Sequence, residues 1–323
     1  MVLIAVAVAT RGCGWSDRSA LGAPRSSTSA TRTSTSRLIV ETPTTLRVPA
    51  MDMLWAFGSI WLSQPERVSR LDSSTGGVDV SIPVPGTSDF RKLAAGAGSI
   101  WVDDTGTQTV TRIDPVRNTV VASVPLGRSV FVTDGLAFVD SKLWVVRPVP
   151  TDDTRGDVVS INPASNRISE RALIPRTFDV MSGGSHALWY VRASNLLRFD
   201  TDTRHVTVAR RNVDAVLAVT NKHLWLVTTA GIIETDAAAG TQIGPAIRVR
   251  DRVNLAAAIS SDAVWIAGQP DSSAGGNVTP YDPITHRPIG PKTPVGLPIV
   301  TMTALPNALW IDAGGVTRIP FTG

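Results

Sequence analysis

Residues 98 to 122 contain three short phrases: Gly98-Ser99-Ile100-Trp101-Val102, then Val110-Thr111-Arg112-Ile113-Asp114-Pro115, then Asn118-Thr119-Val120-Val121-Ala122. Each phrase is rich in Val, Ile or Trp and bounded by Gly, Asp, Asn or Pro, which is the punctuation of β-strands. The pattern recurs along the chain. Trp61, Trp101, Trp144, Trp189, Trp225, Trp265 and Trp310 are separated by 40, 43, 45, 36, 40 and 45 residues. Each follows a turn and an aliphatic residue, as in Ser141-Lys142-Leu143-Trp144 and His186-Ala187-Leu188-Trp189. The second phrase returns as Arg70-Leu71-Asp72, Arg198-Phe199-Asp200 and Tyr281-Asp282-Pro283, and no helical stretch is visible. A period of about 40 residues with four short strands per unit is the mark of a β-propeller, in which neighbouring blades bury one another's faces. The expected fold is all-β, a seven-bladed propeller with four antiparallel strands per blade. A Trp at one fixed position of every blade is read as inter-blade packing.

The ends of the repeat test the count. The last phrase, Val316-Thr317-Arg318-Ile319-Pro320, is a third strand, so the seventh unit lacks its outermost one. Residues 38 to 48, with Leu38-Ile39-Val40 and Thr45-Leu46-Arg47-Val48, have the character of an outermost strand and are expected to close the ring. The propeller is therefore assigned to residues 38–323. Residues 14–37 form a Ser/Thr-rich linker, too polar to offset its ordering entropy by burial. Residues 1–13 hold an apolar run, Val2 to Ala9, and then Gly12-Cys13, which resembles a bacterial lipobox with Cys13 as the lipidation site. This places the chain outside the cytoplasm as a lipid-anchored or secreted protein. A truncated membrane-anchored sensor and a cytoplasmic protein are the other readings of the same residues.

The composition narrows the partners. The chain has 323 residues, 43% of them hydrophobic, and a formal charge of +4. That charge sits in the first 50 residues, where six Arg face Asp17 and Glu41, leaving 25 basic and 25 acidic residues in 51–323. A neutral ring lacks the electrostatic footprint of a nucleic-acid binder. One Cys and four His exclude a disulfide framework and multi-cysteine metal sites.

The phrases Gly-Ser-Ile-Trp-Val, Val110-Thr111-Arg112-Ile113-Asp114-Pro115 and Asn118-Thr119-Val120-Val121-Ala122 resemble those of the bacterial seven-bladed propellers grouped around virginiamycin B lyase and the quinoprotein-like surface-layer propellers. The resemblance covers about residues 38 to 323. It implies the fold, and for the lyase branch a His and a Glu converging with a divalent metal at the central opening. His186, His205, His223 and His286 all fall in turns, and Glu66, Glu170 and Glu234 offer no evident partner, so the lyase pair is not expected.

Two places are candidates for a site. The connections between second and third strands are long in the third unit, Arg147 to Asp157, and in the sixth, Gly268 to Asn277, and long loops on a rigid scaffold are the usual carriers of binding. Asp152, Asp153 and Asp157 in the former are read as an acidic solvated loop, with a cation site as the alternative. Counting back ten or eleven residues from each Trp reaches Met51, Arg91, Asp134, Asp179, Asp214, Asn254 and Val300, near the start of each innermost strand. Arg91, Asp134, Asp179, Asp214 and Asn254 form a candidate ligand site at the central mouth, with Asp134, Asp179 and Asp214 as candidate ligands of a divalent metal; the same groups also fit a hydrated channel lining. No other cofactor is indicated. The first functional expectation is a monomeric, lipid-tethered scaffold that binds a protein or small polar ligand. The others are a metal-dependent lyase or lactonase and the sensor domain of a truncated membrane kinase or regulator.

Overall fold

The computed structural model describes residues 37–46, 48, 50–86, 91–127, 135–149, 152–175, 182–184, 186–220, 222–249, 253–269, 275–296 and 299–322. Their regular secondary structure consists of strands, in seven sheets. The chain opens with β1 (Ile39–Val40) and β2 (Thr44–Leu46). Blade one is β3 (Asp52–Ala56), β4 (Ser59–Gln64), β5 (Arg67–Asp72) and β6 (Val78–Pro83). Blade two is β7 (Leu93–Gly96), β8 (Ser99–Asp104), β9 (Thr109–Asp114) and β10 (Thr119–Pro125). Blade three is β11 (Gly135–Val139), β12 (Lys142–Val149), β13 (Asp152–Asn162) and β14 (Arg167–Pro175). Blade four is β15 (Ser182–Gly184), β16 (Ala187–Arg192), β17 (Asn195–Asp200) and β18 (Val206–Arg211). Blade five is β19 (Val213–Val219), β20 (His223–Thr228), β21 (Gly231–Asp236) and β22 (Gln242–Ile247). Blade six is β23 (Val253–Ile259), β24 (Val264–Gln269), β25 (Gly276–Tyr281) and β26 (Thr293–Val295). Blade seven is β27 (Ile299–Ala304), β28 (Ala308–Ala313) and β29 (Val316–Thr322).

Within each blade the strands pair antiparallel in sequence order, and the seven innermost strands neighbour one another in a closed circuit. The expected seven-bladed propeller is what the chain forms. Each second strand carries the Trp, and all seven indoles are at most 1% exposed. Four of them donate Nε1–H to the carbonyl five residues earlier, at the end of the innermost strand: Trp61 to Ala56, Trp101 to Gly96, Trp144 to Val139 and Trp189 to Gly184. This bond pins the first hairpin of a blade while the ring fills the gap to the next sheet.

The hairpins are tight. Phe57-Gly58, Ala97-Gly98, Asp140-Ser141 and Ala193-Ser194 all have positive φ, the backbone of two-residue turns whose twist matches the strands. The Asp that ends the second phrase also has a local cause. Its Oδ1 accepts the N–H groups two and three residues on, at 2.9 and 2.7 Å for Asp72 and at 3.1 and 2.8 Å for Asp200. The backbone bond from Thr203, helped by Arg198, lowers the Asp200 carboxyl to about 2. The same turn follows Asp114, Asn162, Asp236 and Asp282.

The ring closes as expected. β1 pairs with the end of β29, Val40 opposite Phe321, and β2 with its start, Leu46 opposite Val316. Leu38, 1% exposed, donates its N–H to the Ile289 carbonyl of blade six at 2.6 Å and packs in the cluster of Trp265 and Phe321. The amino-terminal strand thus fastens blade seven and stitches it to blade six.

Leu38→Ala should cost about 2–5 kcal/mol, the range for a truncated buried Leu, and deletion of residues 38–46 should lower Tm far more. Calorimetry checks both, and an unchanged melting curve for the deletion would refute the closure.

Candidate functional site

The face where innermost strands begin and second strands end is where the sequence places its candidates. Arg91 lies there, yet it is buried, 1% exposed. Its Nη2 donates to Asp104 Oδ2 at 2.9 Å and to the Val84 and Pro85 carbonyls, and its Nη1 to the Gln64 carbonyl at 3.0 Å. The guanidinium therefore clamps blade one to blade two and does not point into the mouth. Asp214 is exposed on β19, and Asn254 lies on β23. Asp134, Asp179 and Cys13 lie outside the described residues.

Other carboxylates line this face across blades seven, one and two. Asp52 Oδ2 accepts the Leu93 N–H at 2.8 Å, while Oδ1 accepts the Met53 N–H and the Thr301 hydroxyl, so one side chain touches three blades. Asp103 accepts the Lys92 N–H through Oδ1. Asp312 accepts the Gly315 N–H at 3.2 Å, and burial pushes its carboxyl above the ordinary 3.8. The signal was present in the sequence: Asp103 and Asp312 each stand two residues after their Trp, and Asp52 stands one past Met51. Among the described residues, no three His, Cys, Asp or Glu are arranged to hold a metal ion.

The third-unit connection is not a loop. β12 and β13 run on as paired strands, Arg147 opposite Asp157 and Val149 opposite Asp152, and β14 follows them to Pro175. Arg147 donates through Nε and Nη2 to Asp157 Oδ2, at 3.1 and 2.9 Å, and through Nη1 to the Gly127 carbonyl of blade two. Arg171 lies 3.4 Å from Asp157 Oδ1, and Arg155 3.4 Å from Asp152. The carboxylates expected to be solvated are thus tied to arginines. Asp153's side chain and residues 270–274 of the sixth-unit connection lie outside the described residues.

On the opposite face a second arrangement links the blades. The third-strand residue opposite each Trp is Arg70, Arg112, Ser160, Arg198, Glu234, Pro280 or Arg318. Arg70 and Arg112 lie over their own indoles, 5.8 and 5.0 Å from the ring centroids, and reach the turn of the next blade. Arg70 donates to the Pro115 carbonyl and Arg112 to the Pro163 carbonyl. Blade five inverts this contact. Glu234, 1% exposed, faces His223 Nδ1 at 2.7 Å and His286 Nε2 of blade six at 3.0 Å. The other His286 nitrogen lies 2.7 Å from the Pro245 carbonyl. The Pro245 carbonyl can only accept, so Nδ1 donates to it, while Nε2 meets the Glu234 carboxyl. A Glu and a His do meet here, but buried between blades and away from the central mouth, so they are not the pair that the lyase resemblance implies. Nearby, His186 Nδ1 lies 2.6 Å from Asp140, whose other oxygen accepts the Thr201 hydroxyl at 2.5 Å.

No protein-family model matches the chain, and no curated protein matches it. Solved structures do. The ring is similar to the structure of U3-55K, with a TM-score of 0.62, 12% identity and coverage of 88% of this chain and 98% of that one. It is also similar to the WD40 repeats of RRP9, with a TM-score of 0.63, 12% identity and the same coverage. At that identity the likeness shows the propeller fold alone.

Two substitutions test these readings. Glu234→Ala leaves the buried His286 Nε2 without its partner and should cost about 1–3 kcal/mol, against about 0.5 kcal/mol or less for the exposed Arg167→Ala; urea unfolding measures both, and equal costs would refute the trio. Because the Asp312 carboxyl is raised in the folded state, it binds its proton more tightly there, and stability falls as pH rises through that interval. Asp312→Asn keeps an acceptor for Gly315, so it should raise Tm at pH 7 and lose that gain below pH 3.8.

Proposed function

We propose that the chain is a binding scaffold, an extracytoplasmic propeller that offers its third blade to a partner protein. The observation that carries this reading is the arm formed by β12, β13 and β14, which are eight, eleven and nine residues long where the corresponding strands of blade one have six each. Arg147, Asp157 and Arg171 brace its base. A protrusion already held in one conformation loses little entropy when it docks. Leu173, 54% exposed, pairs with Asp157, so it shares a face with Arg155 and Arg171. An acidic partner surface with one apolar recess would complement that face. The apolar run before Gly12-Cys13 and the Ser/Thr-rich residues after it support a lipid tether and spacer.

Photocrosslinking in living cells from position 154 or 173, against position 208 on blade four as control, tests the scaffold. One discrete adduct is expected from the blade-three positions, weakened by Arg171→Glu. No adduct, or an equal adduct from position 208, would refute the arm.

A further inference from the structure

A cleft of about 380 Å³ opens between blades five and six. Its floor is apolar, with Val249, Leu255 and Ile266, and its rim is polar, with Arg248, Asn277 and Lys292. Clefts of this size and lining are the usual form of small-molecule sites.

The reason for the cleft lies three residues after the Trp of each blade. That position holds Gln64 in blade one, Asp104 in blade two, Arg147 in blade three and Arg192 in blade four. Blade six has Gly268, opposite Asn277, and among the described residues no side chain fills the space. Blade two shows what the space can hold. There an arginine from the linker entering the blade, Arg91, meets the carboxylate of Asp104 at 2.9 Å. Blade three buries a second guanidinium and carboxylate at the same level, Arg147 with Asp157. In blade six the entering linker again carries an arginine, Arg248, which lines the cleft together with Gly268. Arg248 is exposed and makes no ion pair among the described residues.

We propose that this cleft binds a small organic carboxylate, whose acid group takes the place that Asp104 fills in blade two and whose apolar body lies on Leu255 and Ile266. Arg248 supplies the charge-assisted hydrogen bonds, and Asn277 offers a neutral amide beside them. A neutral ligand of the same shape gains the floor but not the guanidinium.

The test uses the full chain and phenylacetate as probe, followed by titration calorimetry and by chemical shifts of the Ile266 methyl groups. Saturable binding is expected, weakened about tenfold or more for phenylacetamide and in Arg248→Ala, since hydrogen bonds to charged groups carry about 1.5–3 kcal/mol. Gly268→Asp should supply the carboxylate from within, raise Tm and abolish phenylacetate binding. The absence of saturable phenylacetate binding would overturn the proposal. So would affinities equal for acid and amide, or an affinity unchanged in Arg248→Ala, a surface variant that does not depend on the tolerance of Gly268.

Discussion

Each boundary between blades is organised around one buried indole, and the rest of the ring follows from accommodating it. A Trp contributes more apolar area than any other side chain, and its single donor must find an acceptor when buried. Placing it on the second strand lets Nε1–H reach back to the innermost strand of its own blade, as in Trp61 to Ala56. The indoles then hold the sheets close at the axis, where several innermost-strand positions have room only for a small residue. A Cβ on Gly96 would meet the Phe138 ring at 2.0 Å, and one on Gly183 would meet Val139 at 2.5 Å. The runs Leu93-Ala94-Ala95-Gly96 and Leu255-Ala256-Ala257-Ala258 have the same cause. Trp265 and Trp310 lack an acceptor for Nε1–H among the described residues, so in blades six and seven the indole holds by its packing.

What was legible in the sequence was whatever repeats within one hairpin. The Trp, its preceding turn and the Asp that caps the next turn recur because each answers a contact made within a few residues. The innermost-strand candidates were less legible because counting back from Trp assumes a regular first hairpin. β19, β23 and β27 carry register shifts, between Val213 and Ala215, Val253 and Ala256, and Ile299 and Thr301, so one count reaches different depths in different blades. In blades one and two the count misses Asp52 by one residue and finds Arg91 turned inward. The trio of Glu234, His223 and His286 was invisible for another reason: Glu234 and His286 stand 52 residues apart and meet only because blade five abuts blade six.

The third-unit arm shows how composition misleads when burial decides. Arg147-Pro148, Asp152-Asp153-Thr154 and Gly156-Asp157 have the residues of a loop. A buried guanidinium and carboxylate facing each other across two strands fix the register, and either left alone would be an uncompensated buried charge. The pair therefore extends the ladder through residues whose own preference is for turns. Local propensity is overridden by one long-range constraint.

The departures from the repeat cluster. Blades seven, one and two keep the arginine opposite the Trp, with Arg318, Arg70 and Arg112 each reaching the turn of the following blade. Blades three, five and six replace it with Ser160, Glu234 and Pro280. Blade four keeps Arg198 over its indole, but its Nη1 pairs with Asp200 of the same strand. The uniform arc has interchangeable joints and also receives the closing strand, so its sequence answers to ring assembly. The divergent arc carries the arm of blade three, the buried trio and the cleft beside Gly268. A ring needs every joint to hold but not every joint to be the same, which leaves the divergent arc free to vary.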